Sequence, residues 1–469
     1  MTIATPAAAV LAEAEPVAPP LALDPRTERL LRGPIAATLL ALAWPNILIM
    51  VAQASSGLVE TWFVAKLGTD ALAGVALAFP LVMLMQMISA GAIGGGISAA
   101  VGRALGAGQR ERADALVVHA LAISLGAGAA FSVAMLLFGR EVYGAMGARD
   151  GALQAALTYS NVVFAGNILL WAMNGLASVV RGTGNMLVPA LVSTVGVALL
   201  VPLSPLLIFG VGPFPALGIA GGAAAVIAFY AGGTAFLAWY IASGRNLARL
   251  RSTRLRWDGF RDILKVGALS TVSSVQTNLI VAVTTALAAG VAGPDAVAGY
   301  GTGARLEYLL IPLVFGLGAP MVAMVGTNIG AGQRERALRI GFTGGAIAFA
   351  ITEAIGLAAA LFPRAWIALF STVPGVIGAG TAYLHAVGPF YGFFGLGLGL
   401  YFASQGAGRL AWPLGASFVR MVVAIVGGWL AVRTTGSLGW LFAATAAGLL
   451  LYGMLVPASI LVGGWRKPS

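Results

Sequence analysis

Long apolar runs, separated by short polar or Gly/Pro breaks, fill almost the whole chain. About 20 mainly apolar residues are enough to cross a bilayer as a helix. Counting such runs predicts twelve spans, at residues 35–65, 71–102, 114–138, 154–180, 186–209, 217–243, 262–290, 296–328, 338–361, 381–404, 411–432 and 438–463. Several exceed 25 residues, which implies tilt or protrusion into water. The expected fold class is therefore an all-α polytopic membrane protein. Residues 1–34 are Ala/Pro-rich with scattered acids and have no basic stretch before an apolar core. They read as a disordered cytoplasmic tail, not a secretory signal.

The polar positions test this layout. Of 27 Lys and Arg, 20 fall on one side if both termini are cytoplasmic. Five lie in the opposite loops (Lys66, Arg140, Arg149, Arg364 and Arg433), and two, Arg305 and Arg420, lie within spans. The bias alternates loop by loop, as the positive-inside rule requires. The longest basic stretch, Arg245 to Lys265, separates spans six and seven. It reads as a topology-setting linker near anionic lipid. The expected organisation is a tail at 1–34, a lobe at 35–243, a basic linker at 244–261, a lobe at 262–463 and a short cytoplasmic end at 464–469.

The two halves are copies. GAGQRERA occurs at Gly106–Ala113 and again at Gly330–Ala337, 224 residues on. Gly175, Gly182, Gly184 and Pro189 recur at the same offset as Gly399, Gly406, Gly408 and Pro413. Asp70-Ala-Leu-Ala-Gly74 recurs as Asp295-Ala-Val-Ala-Gly299, one residue out of frame. Each copy holds six spans, an even number, so the copies share one orientation and are parallel repeats. The Gly-x-Gly of GAGQRERA permits a tight reversal between helices. No strand precedes it, so it is not a dinucleotide cradle. Gly94-Gly95-Gly96 reads as a close-packing point in span two.

Composition narrows the function. Hydrophobic residues make up 59% of the chain and charged residues 9%, against about 25% charge in soluble domains. Absent cysteine excludes disulfides, thiolate metal sites and thiol nucleophiles; no metal or organic cofactor is expected. The net charge of +11 belongs to one-sided loops and does not imply nucleic acid. Three acids lie at membrane depth: Glu60, Glu307 and Glu353. Each needs a partner, a proton or a water-filled cavity. Arg305 and Glu307 are two apart, on different helix faces, so each is expected to find its partner on another helix. Glu353 and Arg420 read as structural, Arg420 pairing with a carboxylate or a helix C-terminus. His119 and His385 read as packed, hydrogen-bonded core residues.

These motifs resemble the multidrug and toxic compound extrusion family over residues 35–463. The carriers are Gly57-Leu-Val-Glu60-Thr through Leu67-Gly68, Gly106-Ala-Gly and Gly330-Ala-Gly, Arg181-Gly-Thr-Gly-Asn185 followed by Pro189, and Ala298-Gly-Tyr-Gly-Thr-Gly-Ala-Arg305-Leu-Glu307. The resemblance implies two six-helix lobes forming a V around a central cavity. It also implies ion-coupled export of amphipathic, often cationic compounds by alternating access. Glu60 aligns with the acid that the family uses in its N-terminal lobe; the alternative is a structural carboxylate bonded to Ser55, Ser56 or Thr61. Glu307 stands second as an ion-coupling residue, with a structural role left open.

Where one branch of the family carries acids in spans seven and ten, this chain has Gln276/Thr277 and Phe394. Where another carries Asn and Asp in span five, it has Val201-Pro-Leu-Ser204-Pro. That loss favours H+ over Na+, since a sodium site needs several oxygen ligands. Candidate cavity-lining residues are Gln53, Tyr159, Asn167, Trp171, Asn174, Gln276, Asn278, Tyr300 and Tyr391. The expected reading is a proton-coupled efflux antiporter in the cell inner membrane, not an enzyme. Its partners are a small-molecule substrate and the bilayer, and the chain works as a monomer. The rivals are a lipid-linked oligosaccharide or polysaccharide flippase of the same superfamily, and a membrane-embedded transferase.

Overall fold

A computed structural model of the chain describes residues 24–210 and 212–465, without the side chains of 50–59, 61 and 464. Among the described residues every regular element is helical. In lipid a helix is the one open-ended structure that satisfies its own backbone. Among the described residues nine helices are long and apolar enough to cross a membrane. One of them, Trp257–Gly330, is two helices joined at a break, where Ala292 and Gly293 leave helical geometry just before Pro294. A bent pair, Asp150–Ala165 with Asn167–Gly182 at 48°, forms one further span. Ile35–Ala65 is the first. The total is the twelve expected.

In chain order, span one is Ile35–Ala65, two Thr69–Gly106, three Arg110–Ala145 and four the bent pair. Spans five and six are Leu187–Phe209 and Ile219–Ala242. The arms of Trp257–Gly330 are seven and eight, and Arg334–Leu361, Pro374–Ala407, Ala411–Thr435 and Leu438–Gly463 are nine to twelve.

Several boundaries differ from the sequence reading; span ten starts at Pro374, not 381, and span three ends at Ala145, not 138. Residues 1–23 of the expected tail lie outside the described residues. Pro25–Arg32, however, is a helix, because Asp24 accepts the Arg26 N–H at its start, Pro25 sits in its first turn, and Leu30 and Leu31 are buried. Span seven begins at Trp257, not 262, so Arg256 ends the linker. Spans three and nine extend back to the first Arg of each GAGQRERA copy, Arg110 and Arg334.

Two hydrophobic cores form, one almost wholly from residues before 264 and the other almost wholly from residues after 265. The halves meet where spans two and eight run side by side toward their GAGQRERA loops. The contact is built on glycine and is pseudo-twofold. A Cβ on Gly102 would lie 3.4 Å from the Ala323 carbonyl, and one on Gly326 would lie 3.3 Å from the Ala99 carbonyl. Nearer the loops, Gly106 packs on the Thr327 carbonyl and Gly330 on the Arg103 carbonyl, with no room for a side chain at either. Gly96 lies against the Ile263 carbonyl, so the glycine triplet is a packing point. Within each loop Gly108 (φ 73°) and Gly332 (φ 75°) take the left-handed turn that L side chains avoid.

Polar contacts between the halves cluster at this same end. Arg103 donates to the Gly406 carbonyl at 3.2 Å, and Asn328 to the Leu30 carbonyl at 3.0 Å. The second Arg of each repeat crosses to the start of the other half: Arg112 pairs with Asp262, and Arg336 donates to the Gly33 carbonyl. The linker is pinned beneath. Asp114 accepts the Arg249 N–H at 2.7 Å and pairs with Arg251 at 3.5 Å; His119 accepts the Arg256 N–H at 2.9 Å. Farthest from the loops, Gln405 donates to the Gly91 carbonyl at 3.1 Å. Beyond it, among the described residues, no hydrogen bond or ion pair joins the halves. They form a V closed at the basic end.

Candidate functional site

The three membrane-depth acids occupy three different settings. Glu60, near the end of span one, accepts a hydrogen bond from the Tyr159 hydroxyl at 3.2 Å. A Cβ on Gly222 of span six would lie 3.5 Å from its Oε1, so the glycine lets that backbone come close. None of the five ion pairs of the described residues includes Glu60. Its alternative partners, Ser55, Ser56 and Thr61, lie outside the described side chains, as does Gln53.

Glu307, on span eight, accepts from the Tyr383 hydroxyl at 2.8 Å through one oxygen and from Arg420 at 2.9 Å through the other. The Arg420 guanidinium sits over the rings of Phe394 and Tyr452, at 5.0 and 5.7 Å. Glu353, on span nine, accepts the Gly392 backbone N–H at 2.7 Å. Gly392 opens the second half of span ten, which breaks at Gly388–Phe390. The carboxylate thus meets the positive end of a helix dipole.

Two sequence readings need correction. Arg305 finds no partner helix; it is exposed, with its guanidinium 5.4 Å from the Phe370 ring in the turn after Pro363–Ile367. His385 is exposed on span ten, because its helix face points away from the core that holds Tyr383 and Leu384. His119 alone is the buried, bonded histidine.

The suggested cavity-lining residues are divided between the halves. Tyr159, Asn167, Trp171 and Asn174 are buried in the first; Asn174 donates to Ser89 at 2.8 Å and Asn167 to the Gly128 carbonyl at 3.1 Å. Gln276, Tyr300 and Tyr391 are buried in the second, and Asn278 donates to its own helix at Ser274. The Trp171 N–H, both polar atoms of Gln276 and the Tyr391 hydroxyl have no protein partner. None of these eight borders the small cavity between the halves, about 10 Å³. Its lining includes Gly95, Ser98, Arg181, Phe315 and Gln405. Arg181 bonds Ser178 at 3.0 Å and meets no carboxylate among the described residues. Sequence reading gave Arg181 a place in a motif but not in a site, and passed over Gln405 and Tyr383. The repeat could have found them, since its offset places Gln405 on Arg181 and Tyr383 on Tyr159.

A family model described as MatE matches residues 45–206 and 270–430, one block in each half. A relative named FAD transporter, from Shewanella oneidensis, is 29% identical over 78% of this chain and 81% of its own length. A probable multidrug resistance protein NorM from Deinococcus radiodurans is 28% identical over 89% and 93%. A solved multidrug resistance transporter described as outward-facing matches with TM-score 0.84 at 24% identity, covering 96% of this chain and all of that one. A Pyrococcus furiosus transporter of the MOP superfamily matches with TM-score 0.86 at 24% identity, over 95% of this chain and all of its own.

Proposed function

The chain belongs to the MatE family of multi-pass membrane transporters, and on that premise we propose that it is a proton-coupled exporter of amphipathic or cationic small molecules. The basic end, with both termini and the linker, faces the cytoplasm, a placement that the 20-to-5 distribution of Lys and Arg supports. The V then opens outward, and the contacts of spans two and eight form the closed inner gate. Transport alternates as that gate parts and the far ends approach. The protein acts as a monomer in the inner membrane.

One observation carries the coupling. Glu60 is a carboxylate at membrane depth with a tyrosine hydroxyl and, among the described residues, no ion-pair partner. Buried charge without a counter-ion is costly, so such a group holds a proton until it meets water. Loss of that proton to one side and its return from the other drives the exchange. Sodium would need further oxygen ligands around the carboxylate.

The relative named FAD transporter, with the carboxylate-free Arg181 between the halves, favours a second reading in which the cargo is an anionic dinucleotide. One assay separates them. In a bacterium stripped of its own efflux pumps, the protein should lower ethidium accumulation, lose that effect with a protonophore and keep it without sodium. Secretion of FAD with unchanged ethidium would select the second reading, and a sodium requirement would overturn proton coupling.

A further inference from the structure

The repeat places Tyr159 and Tyr383 at corresponding positions, and each hydroxyl donates to a partly buried carboxylate of its own half. The carboxylates come from different spans and differ in what opposes them. Around Glu60 the titratable neighbours are Tyr159 on span four and Tyr230 on span six. Around Glu307 they are Tyr300 and Tyr308 on its own span, Tyr383 and Tyr391 on span ten, and Arg420 on span eleven. No second acid faces either group among the described residues.

Arg420 has no counterpart in the first half. The offset puts Gly196 at its position, and the Phe229 ring fills the space that a side chain there would need. In the second half the guanidinium is held on three sides, by Glu307 and by the faces of Phe394 and Tyr452, and the Arg420 side chain is 8% exposed. We propose that Arg420 is a built-in counter-cation that keeps Glu307 neutralised throughout the cycle, so that the second half carries no exchangeable ion and each cycle moves a single proton, at Glu60. A buried carboxylate is satisfied by a proton, a bound cation or a fixed partner. Here the fixed partner is already in place, and an incoming ion would strand the guanidinium in an aromatic pocket. The inference rests on the Glu60 reading above.

Purified protein in weak buffer, saturated with ethidium as the probe, should release one proton per chain, and Glu60→Gln should release none. Two protons from the unmodified protein, one of them surviving Glu60→Gln, would overturn the inference while leaving the Glu60 reading intact. One proton that survives Glu60→Gln would overturn the Glu60 reading itself. In proteoliposomes the double variant Glu307→Gln/Arg420→Gln should keep pH-driven ethidium transport within about twofold, since removing both partners of a buried pair leaves no orphan charge. Its loss, in protein that melts like wild type, would overturn the inference. Arg420→Gln alone should expose Glu307 and add a second released proton. If that variant does not fold, the count on the unmodified protein decides.

Discussion

At the scale of single residues, three carboxylates of one type do different work because of what their second oxygen meets. Glu353 meets a helix N-terminus. Glu353→Gln keeps an acceptor there and should leave both thermal stability and transport near wild type. Glu353→Leu removes it and should cost about 1 kcal/mol, the size of a lost helix cap. Transport per folded molecule should be unchanged; thermal unfolding beside an efflux assay reads both. That three acids lie in apolar spans is plain in the sequence, because charge is scarce there. Their partners are not, because Arg420 lies 113 residues from Glu307 and Tyr159 lies 99 from Glu60. Only helix packing brings such positions together. Arg305, expected to find its partner on another helix, instead covers Phe370 in a turn, since hydrophobicity along one span does not say which face a loop will shield.

Among elements, the repeated GAGQRERA loop combines two functions that a single sequence copy cannot separate. Its second glycine makes the turn, as its spacing suggests. Its first glycine is a contact between halves, which nothing local to the motif announces. Gly106→Val or Gly330→Val should therefore spare each hairpin but force spans two and eight apart. Distance measurements between spin labels on those spans should show the gate widened by several ångströms, of the order of a side-chain diameter. Unchanged distances would show that the glycines serve the turn alone. The third repeated landmark has a similar basis. The carboxylates of Asp70 and Asp295 abut Gly151 and Gly375, at the N-termini of the helices that start spans four and ten. There a negative charge is favoured by the helix dipole.

For the whole molecule, long apolar runs and alternating charge made the twelve spans legible, because a bilayer imposes both, and the repeated landmarks made their parallel duplication legible. The closed end of the V was not legible, because glycine contacts leave no mark in hydropathy. The chain has no cysteine, so single cysteines report topology cleanly. One at Gln109 or Gln333 should be labelled only from the cytoplasm, and one at Asp70 or Asp295 only from outside; all four positions are exposed. Members of a pair labelled from opposite sides would refute the parallel lobes. Transport driven by a proton at Glu60 is tested by Glu60→Gln in sodium-free proteoliposomes with an imposed pH gradient. Wild type should accumulate ethidium against its gradient while the variant, folded and equally stable, should not. Gradient-driven accumulation by the variant at the wild-type rate would contradict that role.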